Sequence, residues 1–232
     1  MDFTAITQID LSLIPILSGP HTIFMDAFSQ VLTNAWTWIV LYMSLFFIVI
    51  RNNETMPQIL LAIVSALMCV VLAGGIDTYI IKPMVMRLRP INDPAVRPLL
   101  DLVTGVADNN YSFFSSHAAN TFSLCIFFSL LVRSKWLTLT LVLWSLTNCW
   151  TRIYLGVHYP SDIFVGLLWG FVVGEVVYIG YRFFYRKVSA KLHFISTQYT
   201  STGYAFTDVN FIINAVLLTV VYAIIRALLT IY

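Results

Sequence analysis

The chain has 232 residues, 59% of them hydrophobic and only 10% charged, with a formal net charge of +2 and a mean hydropathy of +0.83. Soluble domains carry about a quarter charged residues, so this composition excludes a soluble globule and points to an integral membrane protein. The small net charge and the lack of any basic tract exclude nucleic acid as a partner.

The first 33 residues mix Asp2, Asp10 and Asp26 with apolar residues and are broken by Pro15, Gly19 and Pro20. No Lys or Arg precedes Arg51, so the basic region of a signal peptide is missing. Segment 1–33 therefore predicts short interfacial helices lying on the membrane; the alternative is one long tilted helix over 21–50. Six apolar runs long enough to approach a span of about 20 residues follow at 34–50, 56–81, 115–132, 136–155, 160–184 and 209–231. The fold class expected is all-α: a polytopic membrane bundle of about six transmembrane helices, one membrane domain over 1–232.

The cations set an orientation. Arg51, the Arg133/Lys135 pair, and the Arg182, Arg186, Lys187 and Lys191 group fall on one side of a six-span scheme. The positive-inside rule makes that side cytoplasmic, and the Ser/Thr/Tyr-rich stretch 195–208 reads as a loop there. The opposite side holds Lys82, Arg87, Arg89, Arg97 and Arg152, with an irregular outer loop over 82–116 rich in Pro, Asn and Asp. Within the spans, Asp77, Glu175 and Arg226 are the other ionisable residues singled out, and an Asp77–Arg226 pair is geometrically allowed.

Chemistry concentrates on that outer side. Pro160 suits a first helical turn, which puts Asp162 one turn after His158, so its carboxylate can fix the imidazole tautomer and leave the other ring nitrogen as base or nucleophile. Arg152 offers a guanidinium fork for phosphate oxygens. Lys82 and Arg89 close the second run. Arg87 and Arg89 would face one way in an extended chain and diverge in a helix. Ser115, Ser116 and His117 open the third run, where hydroxyls and free N–H groups make an anion site and a histidine can protonate a leaving oxygen. The cysteines Cys69, Cys125 and Cys149 lie in apolar runs with no metal-site or disulfide spacing.

Read together, Lys82-x6-Arg89-Pro90, Phe114-Ser115-Ser116-His117 and Thr151-Arg152-x5-His158-x3-Asp162 resemble the three motifs of the type 2 phosphatidic acid phosphatase superfamily: Lys-x6-Arg-Pro, Pro-Ser-Gly-His and Ser-Arg-x5-His-x3-Asp. Phe114, Ser116 and Thr151 replace the family's proline, glycine and serine; every charged position is kept. The resemblance implies a metal-independent lipid phosphatase of the bacterial cytoplasmic (inner) membrane, facing the periplasm or cell exterior. In it Lys82, Arg89, Ser115, Ser116 and Arg152 hold phosphate, His158 attacks phosphorus to give a phosphohistidine, Asp162 orients His158, and His117 protonates the leaving group. It implies no cofactor and no metal, since fixed cations stabilise the charge instead. The implied partner is a phosphorylated membrane lipid in the bilayer: undecaprenyl pyrophosphate, phosphatidylglycerol phosphate, phosphatidic acid or a lipid A phosphate. Transfer of the phosphoryl group to another lipid is one alternative, and a non-enzymatic transporter or scaffold another. Vanadium haloperoxidases share the motifs, but the hydropathy of this chain argues against them.

Overall fold

A computed structural model describes residues 4–100, 103, 106, 108, 110–188 and 197–231. Lys191 and the start of the expected 195–208 loop lie outside the described residues, as do Asp101 and Asn109 of the outer loop. Nine α-helices are present among the described residues: α1 (Thr4–Ser18), α2 (Ile23–Thr33), α3 (Ile39–Arg51), α4 (Met56–Val70), α5 (Lys82–Val85), α6 (Ser116–Val132), α7 (Lys135–Tyr154), α8 (Pro160–Val188) and α9 (Phe206–Leu228). The chain is an all-α membrane helix bundle, and each of the six apolar runs is occupied by one of α3, α4 and α6–α9. Three stretches are by themselves long and apolar enough to cross a membrane: Met56–Leu99, Pro160–Val188 and Phe206–Leu228. Between α4 and α5 the helix continues through two wider π-type turns, Val71–Gly75 and Asp77–Ile81.

The bundle is apolar on both its inside and its outside. Trp38 and Tyr42 meet the edge of Trp144 at 6.0 Å each, and Phe127 meets Tyr181 at 5.8 Å, in a core that also holds Leu41, Ile48 and Ile212. Phe164, Val176, Leu217 and Leu218 face outward, as a lipid-facing surface requires.

The N-terminal segment forms short helices, as expected. α1 and α2 meet at a bend of 109° and pack into the bundle, burying Asp10, Ile14, Ser29 and Leu32. The physical reason is Asp10: a carboxylate in this apolar setting needs partners, and it finds them in Ser161 and Arg87. A single helix over 21–50 is ruled out. Asn34 has φ −77° and ψ 122° and its side chain accepts from the Trp36 N–H, so it ends α2 and starts a short 3-10 turn, Ala35–Trp38.

The basic and motif ends of the bundle separate as expected. At one end Arg51 pairs with Asp208 at 3.3 Å, Asn52 accepts from Ala205 N–H, and Thr202 donates to Val132 O, close to Arg133. All the motif residues gather at the other.

One seam positions that end. Along α8, Gly166, Gly170 and Gly174 face the α6 backbone so closely that an added Cβ would stand 2.7 Å from Ser115 O, 2.6 Å from Ala119 O and 2.8 Å from Ser123 O. Small residues at this spacing let two membrane helices meet backbone to backbone. The seam fixes the start of α6 against the start of α8, where Ser115 N–H donates to Asp162 O at 3.2 Å. Gly170→Leu is expected to lower stability by about 1–3 kcal/mol through overpacking and to lower activity with it. Gly180→Ala, with nothing within 4 Å of the new methyl, is expected to leave both unchanged; thermal melts in detergent check the pair.

Candidate active site

The spacing of Arg152 and His158 is the spacing of a helix cap. α7 ends at Tyr154, Gly156 takes φ 65°, Gly156 N–H donates to Ile153 O and Val157 N–H donates to Arg152 O. This is the Schellman arrangement, in which glycine accepts the left-handed conformation and the chain folds back. It turns His158 towards the helix end that carries Arg152. α8 then starts at Pro160, and Asp162 Oδ2 accepts the Tyr159 N–H at 3.0 Å, capping its own helix.

His158 is 1% exposed. Its Nε2 lies 3.3 Å from Arg89 Nη1. A guanidinium only donates, so Nε2 is the acceptor and the ring proton belongs on Nδ1. Nδ1 faces Asp162 Oδ2 at 3.7 Å, an ion-pair distance rather than a hydrogen bond, and Nδ1 has no hydrogen-bond partner among the described residues. The Asp162 carboxylate is instead held by Ser112 Oγ, the Tyr159 N–H and Arg87 Nη1, the last at 2.7 Å. Burial first, then the positive charges of Arg152, Arg89 and Lys82 and the neighbouring His117, hold His158 well below the usual imidazole range. The ring therefore stands neutral, with its Nε2 lone pair turned to the cations.

The three cations named from the sequence come together. Arg89 donates from Nε to Asn110 O, from Nη1 to Val157 O, and pairs through Nη2 with Asp108 at 2.9 Å. Arg152 lies 3.6 Å from the same Asp108 oxygen, donates to Thr33 Oγ1, and keeps a buried Nε with no hydrogen-bond partner among the described residues. Lys82 Nζ reaches Asp77 at 3.1 Å and Ser116 Oγ at 3.0 Å. The sequence-allowed pair of Asp77 with Arg226 is thus replaced by Asp77 with Lys82, while Arg226 is exposed near the far end of α9. The wider turn Asp77–Ile81 carries Asp77 and leads into Lys82, placing both beside Ser116.

The residues that open α6 divide their duties. Ser115 is fully buried and its hydroxyl accepts from Ala118 N–H, so it caps the helix. Ser116 Oγ is shared between Lys82 and the Asp77 carboxylate. His117 lies within electrostatic reach of Arg152, Lys82, Arg89 and Asp108. The N–H groups of this first turn have no carbonyl partner inside the helix.

Residues 87–89 are extended, with exposed Leu88 between buried Arg87 and Arg89. Both arginines consequently face the His158–Asp162 pair, Arg89 at the ring and Arg87 at the carboxylate. Sequence reasoning gave Arg87 no role and did not find Asp10, Ser112, Asp108, Ser161 or Thr33. An aspartate in the cation-free, apolar N-terminal segment was the one available signal, because a charge at membrane depth implies a partner.

A buried histidine with a carboxylate behind it thus faces two arginines and a lysine inside a membrane bundle, an arrangement of charge suited to a phosphate group. The comparisons place it further. The model of the PAP2 superfamily matches residues 58–186, and the chain belongs to that superfamily. A lipid A 4'-phosphatase of Bacteroides thetaiotaomicron is 31% identical over 227 residues, covering 96% of this chain and 98% of the relative. A lipid A 4'-phosphatase of Porphyromonas gingivalis is 29% identical over 180 residues, covering 77% and 75%. A decaprenylphosphoryl-5-phosphoribose phosphatase of Mycobacterium tuberculosis is 38% identical over 98 residues, covering 42% and 50%. Among solved structures, the crystal structure of Aquifex aeolicus LpxE superposes with a TM-score of 0.50 at 20% identity, covering 72% of this chain and 93% of that one, a likeness of fold.

With its pKa lowered by burial and then by the neighbouring cations, His158 is expected to stay neutral as pH falls through about 6.5 and to take a proton only below it. The acid limb of kcat/KM is expected beneath that value. Arg152→Lys keeps the charge but loses the fork, and is expected to raise KM for a phosphorylated lipid several-fold in the same assay.

Proposed function

We propose that this protein removes a phosphate monoester from the sugar headgroup of a lipid A-type glycolipid, at the periplasmic face of the bacterial inner membrane, as a single membrane domain. The observation that carries the substrate is the near full-length similarity to a lipid A 4'-phosphatase. What supports the outward face is the distribution of cations, with Arg51, Arg133 and Lys135 at the end of the bundle opposite the motifs.

The reaction follows from the site. Arg89, Arg152 and Lys82 bind the phosphate oxygens, with the first N–H groups of α6 beside them, and stabilise the charge that builds on the equatorial oxygens in the transition state. Asp108 and Asp77, which pair with these cations, yield part of their contacts to the phosphate. His158 Nε2 attacks phosphorus; the bond from phosphorus to the sugar oxygen breaks, and His117 gives that oxygen its proton. The ring, now bonded to phosphorus and protonated at Nδ1, carries positive charge that the Asp162 carboxylate balances. Water then loses a proton to His117 as its oxygen bonds phosphorus, the Nε2–phosphorus bond breaks, and inorganic phosphate leaves. The fixed cations take the part a metal plays in other phosphoryl transfers.

The test is phosphate release by purified protein in detergent. A lipid A 4'-phosphate substrate is expected to react in excess chelator, faster than phosphatidic acid, phosphatidylglycerol phosphate or undecaprenyl pyrophosphate. His158→Ala is expected to lose at least about 10³-fold in kcat, as removal of a covalent nucleophile does. Undiminished turnover in that variant would end the assignment of the nucleophile; preference for another lipid would end that of the substrate.

A further inference from the structure

Asp162 is tied to a part of the molecule that the motifs do not include. Arg87 Nη1 donates to Asp162 Oδ1 at 2.7 Å, and its Nη2 donates to Asp10 Oδ2 at 2.8 Å. Asp10, on α1, is 1% exposed and also accepts the Ser161 N–H at 2.9 Å and the Ser161 hydroxyl at 2.6 Å. Arg87 Nη2 further lies 3.3 Å from Thr7 Oγ1, and the guanidinium is 3.8 Å from the centre of the Tyr159 ring. Ser161 Oγ meets Arg87 Nη1 at 2.9 Å. The result is a closed cluster of buried Asp10, Arg87 and Asp162 with half-buried Ser161, directly behind His158. The family model begins at residue 58, so Asp10 lies outside the matched stretch.

Charge shows what this arrangement does. If Arg87 bound Asp162 alone, the pair would be neutral and the carboxylate could do little for a ring that becomes cationic when Nε2 bonds phosphorus. Asp10 takes the second fork of the guanidinium. Two carboxylates and one guanidinium leave one net negative charge on the Nδ1 side of His158, while Arg89 and Arg152 line the Nε2 side. Arg87 at Oδ1, together with Ser112 Oγ and the Tyr159 N–H at Oδ2, fixes the rotation of the carboxylate and leaves Oδ2 towards Nδ1. The groups that face Asp162 are Arg87 from the extended loop, Asp10 across it from α1, Ser112 from the loop before α6, and His158 and Tyr159 from the turn before α8. Asp93 lies one step further, 3.3 Å from Tyr159 Oη.

We propose that Asp10 and Arg87 are positioning residues for the reaction, with α1 supplying the charge that keeps Asp162 effective towards His158. The inference rests on the phosphatase reading above. It gives the N-terminal segment a part in turnover.

The experiment compares the full-length wild type with Asp10→Asn and Arg87→Lys in detergent, recording kcat, KM and the pH dependence of kcat/KM with a lipid A 4'-phosphate substrate, and a thermal melt for each. Removing a negative charge behind His158 makes its protonated form less favourable. Asp10→Asn is therefore expected to move the acid limb to lower pH relative to wild type, a comparison in which the substrate's own titration cancels. It is expected to lower kcat about tenfold, the scale of lost outer contacts to a functional ligand, with KM within about twofold. Should Asp10→Asn fail to fold, Arg87→Lys carries the test: the charge stays, the fork is lost, and kcat is expected to fall at unchanged KM with a displaced limb. Folded variants with the wild-type limb overturn the proposal, whether their activity is intact or falls in step with the melting temperature, because an anchor of structure alone does not move a titration. A folded wild type that releases no phosphate from this or the other candidate lipids overturns the phosphatase reading itself, and the inference with it.

Discussion

Charge buried in an apolar bundle is the constraint from which this architecture follows. An unpaired ion at membrane depth is costly enough that a neighbouring element must supply its counter-charge. Lys82 is answered by Asp77 from the preceding turn, Arg89 and Arg152 by Asp108 from the outer loop, and Arg87 by Asp162 and Asp10 from two different helices. These pairs tie the loop and the N-terminal helices to the bundle without a large soluble core. They also explain why the outer segment, for all its prolines, lies against the α7–α8 turn, where Ile91 N–H donates to Gly156 O, while Ser112 N–H donates to Arg87 O within the segment itself.

Such pairs are weak sources of net stability, since desolvation offsets much of the attraction. Their value here is that the cations stand ready in one place before any substrate arrives. Preorganisation of this kind is what makes fixed charge effective in phosphoryl transfer, because the site does not have to rearrange when charge develops. The small-residue seam between α6 and α8 and the glycine cap of α7 then supply the precision. One sets the start of α6 beside Asp162; the other folds His158 back against the end of α7. Both are backbone devices, so the geometry does not depend on flexible side chains.

The same logic separates Arg87 from Arg89, two residues that composition and hydropathy cannot tell apart. In the extended segment both point inward past exposed Leu88. Arg89 meets His158 Nε2, whereas Arg87 meets the Asp162 carboxylate behind the ring. One stands beside the imidazole among the other cations, and the other holds an anion already resident in the protein.

By itself the sequence determined the membrane class, the six apolar runs and the motif set, because hydropathy, local spacing and residue chemistry are properties of contiguous chain. Lys82, Arg89, His117, Arg152, His158 and Asp162 were legible since each carries a charge or an imidazole at a recognisable interval. The Gly166, Gly170 and Gly174 stripe was equally present in the sequence, as small residues at helical spacing, but the helix it faces is a matter of packing. Only the tertiary structure decided that Asp77 belongs to Lys82 rather than Arg226, that Ser115 caps a helix, that Asp162 stands 3.7 Å from the ring it serves, and that Asp10 reaches the same cluster. Asp10 meets Arg87 from 77 residues away, and even where the partner is a near neighbour, as for Asp77 and Lys82, a buried charge takes whichever group the packing brings within a few ångströms, which spacing alone does not encode.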